Sequence, residues 1–258
     1  MREVRSVFRG LFMAFGMFST IPQPKLWDDS STKHMMPFLP LVGFVVGFVW
    51  WVAADILDYF SRWVGVILAP AVLILIPILL TGLIHLDGFM DTSDAILSRR
   101  KFEEKLRILK DPHTGAFAVI MVALLFIFQY AALLQVFSKA WVPLSPLLII
   151  PIVSRGCSAM SVLCLRPLTQ DGYVNMFKPD SPLAHRIVTA VLTLSAFPLV
   201  WLLAGFTGII VAGAVLLGYV AAMLYASKNF EFRGISGDLA GFSLVISELC
   251  GLVALAVQ

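Results

Sequence analysis

From Ile187 to Ala226 the chain runs for 40 residues without one charged side chain. As a helix rising 1.5 Å per residue this is about 60 Å, twice the roughly 30 Å hydrocarbon thickness of a bilayer. The run therefore has to reverse, and Ala204-Gly-Phe-Thr-Gly208 is the natural place for the turn. Further apolar runs lie at about 38–57, 63–84, 116–137, 141–165 and 239–257. The second and third carry no charge, whereas Asp55, Arg155 and Glu248 fall in the first, fourth and last. With 59% hydrophobic and only 14% charged residues, against about 25% charged in a soluble domain, the chain cannot clothe itself for water. Backbone groups in lipid must be satisfied within the segment, so the runs are helices. The expected fold is all-α: one polytopic integral membrane bundle over residues 1–258, with about seven transmembrane helices.

Before the first span, Arg2, Arg5 and Arg9 precede an apolar stretch that lacks an A-x-A cleavage site and runs into Phe18-Ser-Thr-Ile-Pro-Gln-Pro24. It reads as a short interfacial helix lying on the lipid bilayer. Seven spans divide the connections into two sets. The N-terminal segment with 85–115, 166–186 and 227–238 holds 16 of the 19 Lys and Arg, and the opposite set holds Arg62 and Lys139. The positive-inside rule places the first set in the cytoplasm of a multi-pass protein of the inner (cell) membrane. A net charge of +3 gives no reason to expect nucleic acid as a partner. Cys157, Cys164 and Cys250 show no metal spacing and read as packing residues.

The cytoplasmic segment 85–115 holds the chemistry. It reads His85-Leu-Asp87-Gly-Phe-Met-Asp91-Thr-Ser-Asp94, then Arg99, Arg100, Lys101, Lys105 and Arg107, then Lys110-Asp111-Pro-His113-Thr-Gly115. On a helix Asp87, Asp91 and Asp94 fall within an arc of about 60°. Three carboxylates on one face repel unless a cation sits among them, and oxygen ligands without cysteine favour Mg²⁺ or Mn²⁺. Asp111 is a candidate fourth ligand. Carboxylates, metal and cations together are the apparatus for cleaving a phosphoanhydride.

Asp91-Thr-Ser-Asp94 through Arg99 approaches the opening of the CDP-alcohol phosphotransferase signature, but the second half of that signature is absent. The longer run Gly82-Leu-Ile-His85-Leu-Asp87-Gly88-Phe-Met-Asp91-Thr-Ser-Asp94, with Leu109-Lys110-Asp111-Pro-His-Thr-Gly115-Ala-Phe117, resembles the adenosylcobinamide-GDP ribazoletransferase (cobalamin synthase) family. Phe18-Ser-Thr-Ile-Pro22, Ser154-Arg155, and Gly237-Asp238-Leu-Ala-Gly241 with Glu248 resemble that family's other motifs, so the likeness covers almost the whole chain. Ala95, His113 and Ser236 depart from its usual glycine, arginine and threonine.

The resemblance implies Mg²⁺-dependent transfer of a GDP-activated corrinoid (adenosylcobinamide-GDP) to α-ribazole or its 5′-phosphate, with GMP released. On this reading Asp87, Asp91, Asp94 and Asp111 hold Mg²⁺ against the pyrophosphate, and Asp111 or Asp94 takes the proton of the attacking hydroxyl. Lys110, Arg99, His85, Arg155, Asp238 and Glu248 are candidates for substrate or phosphate binding. Arg155 and Glu248 each lie nine or ten residues inside their spans, which predicts a direct pair or shared walls of a cavity. Arg166, Asp171, Tyr173, Asn175 and Lys178 either line the mouth or form a solvated connector. A phospholipid synthase using a CDP-alcohol is the alternative enzyme, and a transporter the alternative class. The sequence leaves association into a homo-oligomer open.

Overall fold

The computed structural model describes residues 2–24, 26–60, 65–170, 172, 174–177 and 182–258. Arg62, Asp171, Tyr173 and Lys178 lie outside the described residues. Among the described residues every regular element is a helix and there is no β-strand, as the apolar runs require. After α1 (Arg2–Phe18) two 3₁₀ turns lead into α2 (Leu39–Tyr59). There follow α3 (Leu68–Thr81), α4 (Ile84–Leu97), α5 (Phe102–Ile108), α6 (Ala116–Phe137), α7 (Pro146–Cys164), the single turn α8 (Val174–Phe177), α9 (Leu183–Leu194), α10 (Ala196–Asn229) and α11 (Gly237–Ala256).

The third run reappears unchanged as α6, whereas the run expected at 63–84 shortens to α3. Among the described residues five helical stretches are long and apolar enough to cross a membrane, or six with the bent pair α3 and α4 counted as one. Seven were expected, and the difference lies partly in Leu183–Asn229, which is counted once although it reverses. Gly205 has φ 56° and ψ −136°, a conformation that glycine adopts without strain, inside the stretch expected to turn. The reversal lays Gly208 against Val200: a Cβ there would sit 2.9 Å from the Val200 carbonyl oxygen. In a continuous helix those residues would be about 12 Å apart.

α7 is the hub, with every residue from Pro146 to Gly156 buried. α2 approaches it through Gly43-Phe-Val-Val-Gly47, a small-xxx-small stripe of the kind that brings membrane helices into backbone contact. A Cβ on Gly43 or Gly47 would collide with the carbonyl oxygens of Pro151 and Leu148. Pro77 in α3 has no N–H for the carbonyl four residues earlier, and the buried Trp50 indole donates to that Leu73 oxygen at 2.8 Å. Trp50 is thus a helix-to-helix strut and not an interfacial anchor. Lysines close two helix ends: Lys105 Nζ donates to the Asn229 carbonyl and Lys139 Nζ to the Ala256 carbonyl, at 2.9 and 2.8 Å. Gly47→Val is expected to cost about 1–3 kcal/mol by overpacking. A clear drop in the thermal midpoint of the detergent-solubilised protein would show this; an unchanged midpoint would contradict the close α2–α7 approach.

Candidate active site

The site begins at a break. α3 ends at Gly82 and α4 begins after Leu83, both with positive φ, and the helix axes turn by 97°. Breaking a helix leaves carbonyls without partners. Here the N-terminal Phe18-Ser-Thr-Ile-Pro22 stretch meets them, since Thr20 N–H donates to Leu80 O and Thr20 Oγ1 to Leu79 O, both at 2.8 Å. Phe18 stacks on His85, ring centroids 6.2 Å apart. α4 is thereby turned and crosses the first turns of α11. The crossing is close because Gly88 faces Asp238: a Cβ at Gly88 would stand 2.9 Å from Asp238 Cα. Ser236 accepts from Leu239 N–H and caps α11, so the departure from threonine keeps the cap. The Ala95 departure also leaves α4 intact, since the helix continues through it to Leu97.

This crossing gathers Asp87, Asp91 and Asp94 of α4 with Asp238 of α11. Asp91 is pushed up to about 6, first by burial and then by the negative charges of Asp87, Asp238 and Asp94. Asp94 points its carboxylate at Gly115, the residue before α6, where a Cβ would overlap it. Among the described residues no three His, Cys, Asp or Glu side chains stand close enough to hold one ion by themselves. An all-protein cage is not what Mg²⁺ demands, because it is commonly held by one or two carboxylates with substrate phosphates completing the shell. The oxygen-only donors and their mutual repulsion at Asp91 fit such an ion.

Two clefts meet at Asp238. One, an open space of about 1070 Å³ counting its mouth to solvent, is lined by Asp87, His85, Ser158, Phe177 and Gly241 among others. The second is lined by Lys110, Thr169, Ser236 and Leu109, and Val174, Gly237 and Asp238 belong to both. The 166–170 connector is held beside them by a backbone bridge: Ile235 N–H donates to Arg166 O at 2.7 Å and Leu168 N–H to Ile235 O at 2.8 Å. Asn175 bonds the carbonyls of Thr169 and Gln170, so it organises its own connector. Of the six nearby basic residues, Lys110 lines a cleft beside an acidic residue of the cluster. Lys105 caps a helix, Arg100 pairs with Glu104 at 3.7 Å, and Arg99 is exposed at a left-handed residue after α4. Asp111 is not brought into the acidic cluster. Its Oδ1 accepts from His113 N–H at 3.0 Å and contacts His113 Nδ1 at 2.7 Å, bonds that hold its carboxyl below the usual range.

Deeper in the bundle Arg155 and Glu248 form a direct pair, Nη1 to Oε1 at 2.6 Å, only 1% and 12% exposed. Ser154 Oγ donates to the same Oε1 at 2.9 Å, and Arg155 Nη1 also reaches the Pro151 carbonyl at 3.3 Å. Arg155 and Glu248 also line a cavity, and His85 lines both it and the cleft that contains Asp87 and Asp238. Direct pair and shared wall are therefore both present.

A family model described as cobalamin-5-phosphate synthase matches residues 10–256. The chain belongs to the cobalamin-5-phosphate synthase family. It is 38% identical over 251 residues to an adenosylcobinamide-GDP ribazoletransferase of Clostridium botulinum (strain Alaska E43 / Type E3), covering 96% of this chain and 97% of that one. It is 37% identical over 253 residues to that of Clostridium perfringens (strain 13 / Type A), with 97% and 98% covered. The likeness to a Shewanella denitrificans relative of the same name is 27% over 256 residues, with 95% and 93% covered. No solved structure matches the chain at a significant level. For this cobalamin-5-phosphate synthase family member the motifs acquire physical roles. The N-terminal one closes the α3–α4 break, Ser154-Arg155 with Glu248 forms the buried pair, and the α4 and α11 motifs share the glycine crossing.

Two outcomes are expected. Gly88→Ala, which wedges α4 off α11 and displaces the carboxylates by about 1 Å, should lower turnover about 100-fold while the protein still folds, measured by steady-state kinetics and circular dichroism. Glu248→Ala leaves a buried guanidinium unpaired and should cost about 3–5 kcal/mol, whereas Arg155→Met with Glu248→Met should recover most of the loss in thermal unfolding. Equal midpoints for the single and double variants would rule out the coupling.

Proposed function

We propose that this protein is a Mg²⁺-dependent adenosylcobinamide-GDP ribazoletransferase of the inner membrane, working at the cytoplasmic face. The carrying observation is the gathering of four carboxylates from α4 and α11, two of which, Asp87 and Asp238, line adjoining clefts, in a chain of this family. One or two of the carboxylates Asp87, Asp91, Asp94 and Asp238 would hold Mg²⁺ together with substrate phosphates, and the ion would supply neutralisation of charge on the phosphate oxygens. The bias of basic residues toward the connections on the same side supports the cytoplasmic orientation.

The donor is a corrinoid joined to guanosine through a pyrophosphate, and the acceptor is α-ribazole or its 5′-phosphate. A ribose hydroxyl oxygen of the acceptor forms a bond to the corrinoid-linked phosphorus, and the P–O bond to the other phosphate breaks. GMP leaves with the electron pair, and the hydroxyl proton passes to a carboxylate. Asp94, beside Gly115 at the rim of the cluster, is better placed for that proton than Asp111, whose carboxylate is occupied by His113. Lys110, in the cleft with Asp238, would meet the phosphate of the leaving GMP. Arg99 would reach a phosphate only from outside the clefts.

Purified protein with Mg²⁺, a GDP-activated corrinoid and α-ribazole phosphate should release GMP in step with cobalamin phosphate. Asp91→Asn should reduce GMP release by at least about 100-fold and weaken Mn²⁺ binding measured by electron paramagnetic resonance. Near wild-type turnover of Asp91→Asn at saturating Mg²⁺ would overturn the metal role.

A further inference from the structure

Away from the carboxylates, a groove opens between α1, the approach to α2 and the start of α9. Val4 and Phe8, His34, and His185 with Val188 are among its walls, and its open space is about 1030 Å³ counting its mouth to solvent. Two apolar spans begin at Met36 and Leu183, within three residues of His34 and His185, so the groove lies at the headgroup level of a bilayer. Val4 and Phe8 leave 64% and 61% of their surface uncovered. From Val188 the exposed side chains of Ile187, Val191 and Leu194 continue at helical spacing along one face of α9. An apolar track therefore leads from the groove into the hydrocarbon.

The polar groups of the groove are of two kinds. His34 Nδ1 meets His185 Nε2 at 2.9 Å, and both side chains are more than nine-tenths buried. The other ring nitrogen, His185 Nδ1, is buried with no hydrogen-bond partner among the described residues. With His34 donating, a neutral His185 carries its proton on Nδ1, a donor that requires an acceptor oxygen. Lys33 brings a positive charge within electrostatic reach of both rings. Glu3, also on the groove wall, enters no salt bridge among the described residues. A hydrocarbon chain alone would leave these groups unused, and a purely anionic headgroup would face the Glu3 carboxylate. A choline headgroup has no N–H to donate. A phosphate joined to a primary ammonium matches both ends of the groove.

We infer that this groove binds a membrane phospholipid of the ethanolamine type, with its ammonium on Glu3, its phosphate on His185 Nδ1 beside Lys33, and one acyl chain running down α9 past Val188 and Val191. The lipid fills the space that separates α1 from α9. α1 also packs on the histidine pair, since a Cβ on Gly10 would lie 2.5 Å from His34 Cβ. The same helix leads directly into Thr20, which closes the α3–α4 break. The bound lipid therefore braces the segment on which the placement of α4 depends, and it does so whatever reaction the carboxylates perform.

The full-length protein in detergent is titrated with phosphatidylethanolamine, phosphatidylcholine and phosphatidylglycerol of identical acyl chains, and lipid adducts are followed by native mass spectrometry. One saturable phosphatidylethanolamine adduct is expected, with the other two lipids at least about tenfold weaker, as loss of one hydrogen bond to a charged group implies. Glu3→Gln should erase the preference for ethanolamine over choline. Val188→Trp, which fills the groove from α9, should abolish the adduct. Val4→Trp, filling it from α1, is the second variant should Val188→Trp fail to fold. Phosphatidylethanolamine should also raise the thermal midpoint of the wild-type protein and leave that of the filled variant unmoved. Equal retention of the three lipids, a preference unchanged in Glu3→Gln, an adduct that survives the groove-filling variants, or a protein dimer in place of the lipid adduct would each overturn the site.

Discussion

The charged end of this molecule depends on the break between α3 and α4. A helix that stops within reach of lipid leaves carbonyls that must find donors, and Thr20 provides both a backbone and a side-chain donor for Leu80 and Leu79. Once those groups are satisfied, α4 can cross the first turns of α11. Asp91 then lies half-buried under the influence of Asp238 of α11, while Asp94 turns toward Gly115. The N-terminal segment, remote in sequence from the aspartates, is therefore a structural precondition of the acidic cluster.

The buried pair of Arg155 and Glu248 answers a related constraint from within the bundle. Two opposite charges in an apolar setting are tolerable together and costly apart. Ser154, adjacent to Arg155, donates to the carboxylate, and the Pro151 carbonyl accepts from the guanidinium, so the charges are spread over one turn of α7. α7 is the most enclosed helix, which makes this polar point a register mark between α7 and α11.

Much of this was legible in the sequence, and the reasons differ by element. α6 sits where the uncharged run put it because Gly115 and Ser138 bound it on both sides. The reversal near Gly205 followed from length against bilayer thickness. The depth of Arg155 and Glu248, counted at 1.5 Å per residue, foretold their meeting. What composition does not register is direction and size. Nothing apolar about Leu79 to Leu83 marks a 97° turn, so the span expected over 63–84 overran α3. Gly43, Gly47 and Gly88 count as neutral in any hydropathy pattern, although each sets a close backbone approach. Arg99 and Asp111 entered the candidate site through nearness in sequence and charge. Local hydrogen bonding to His113 took Asp111, and the left-handed residue after α4 left Arg99 outside.

The glycine crossing has a mechanical consequence. Asp87, Asp91 and Asp238 ride on helices already in backbone contact, so this half of the site has almost no compliance left. Lys110, Asp111 and His113 sit on an exposed connector between α5 and α6, tied mainly by short-range bonds. The site therefore joins a stiff jaw to a loose one. Ligands held by the first are fixed in place, and any opening that frees a bulky product must come from the second.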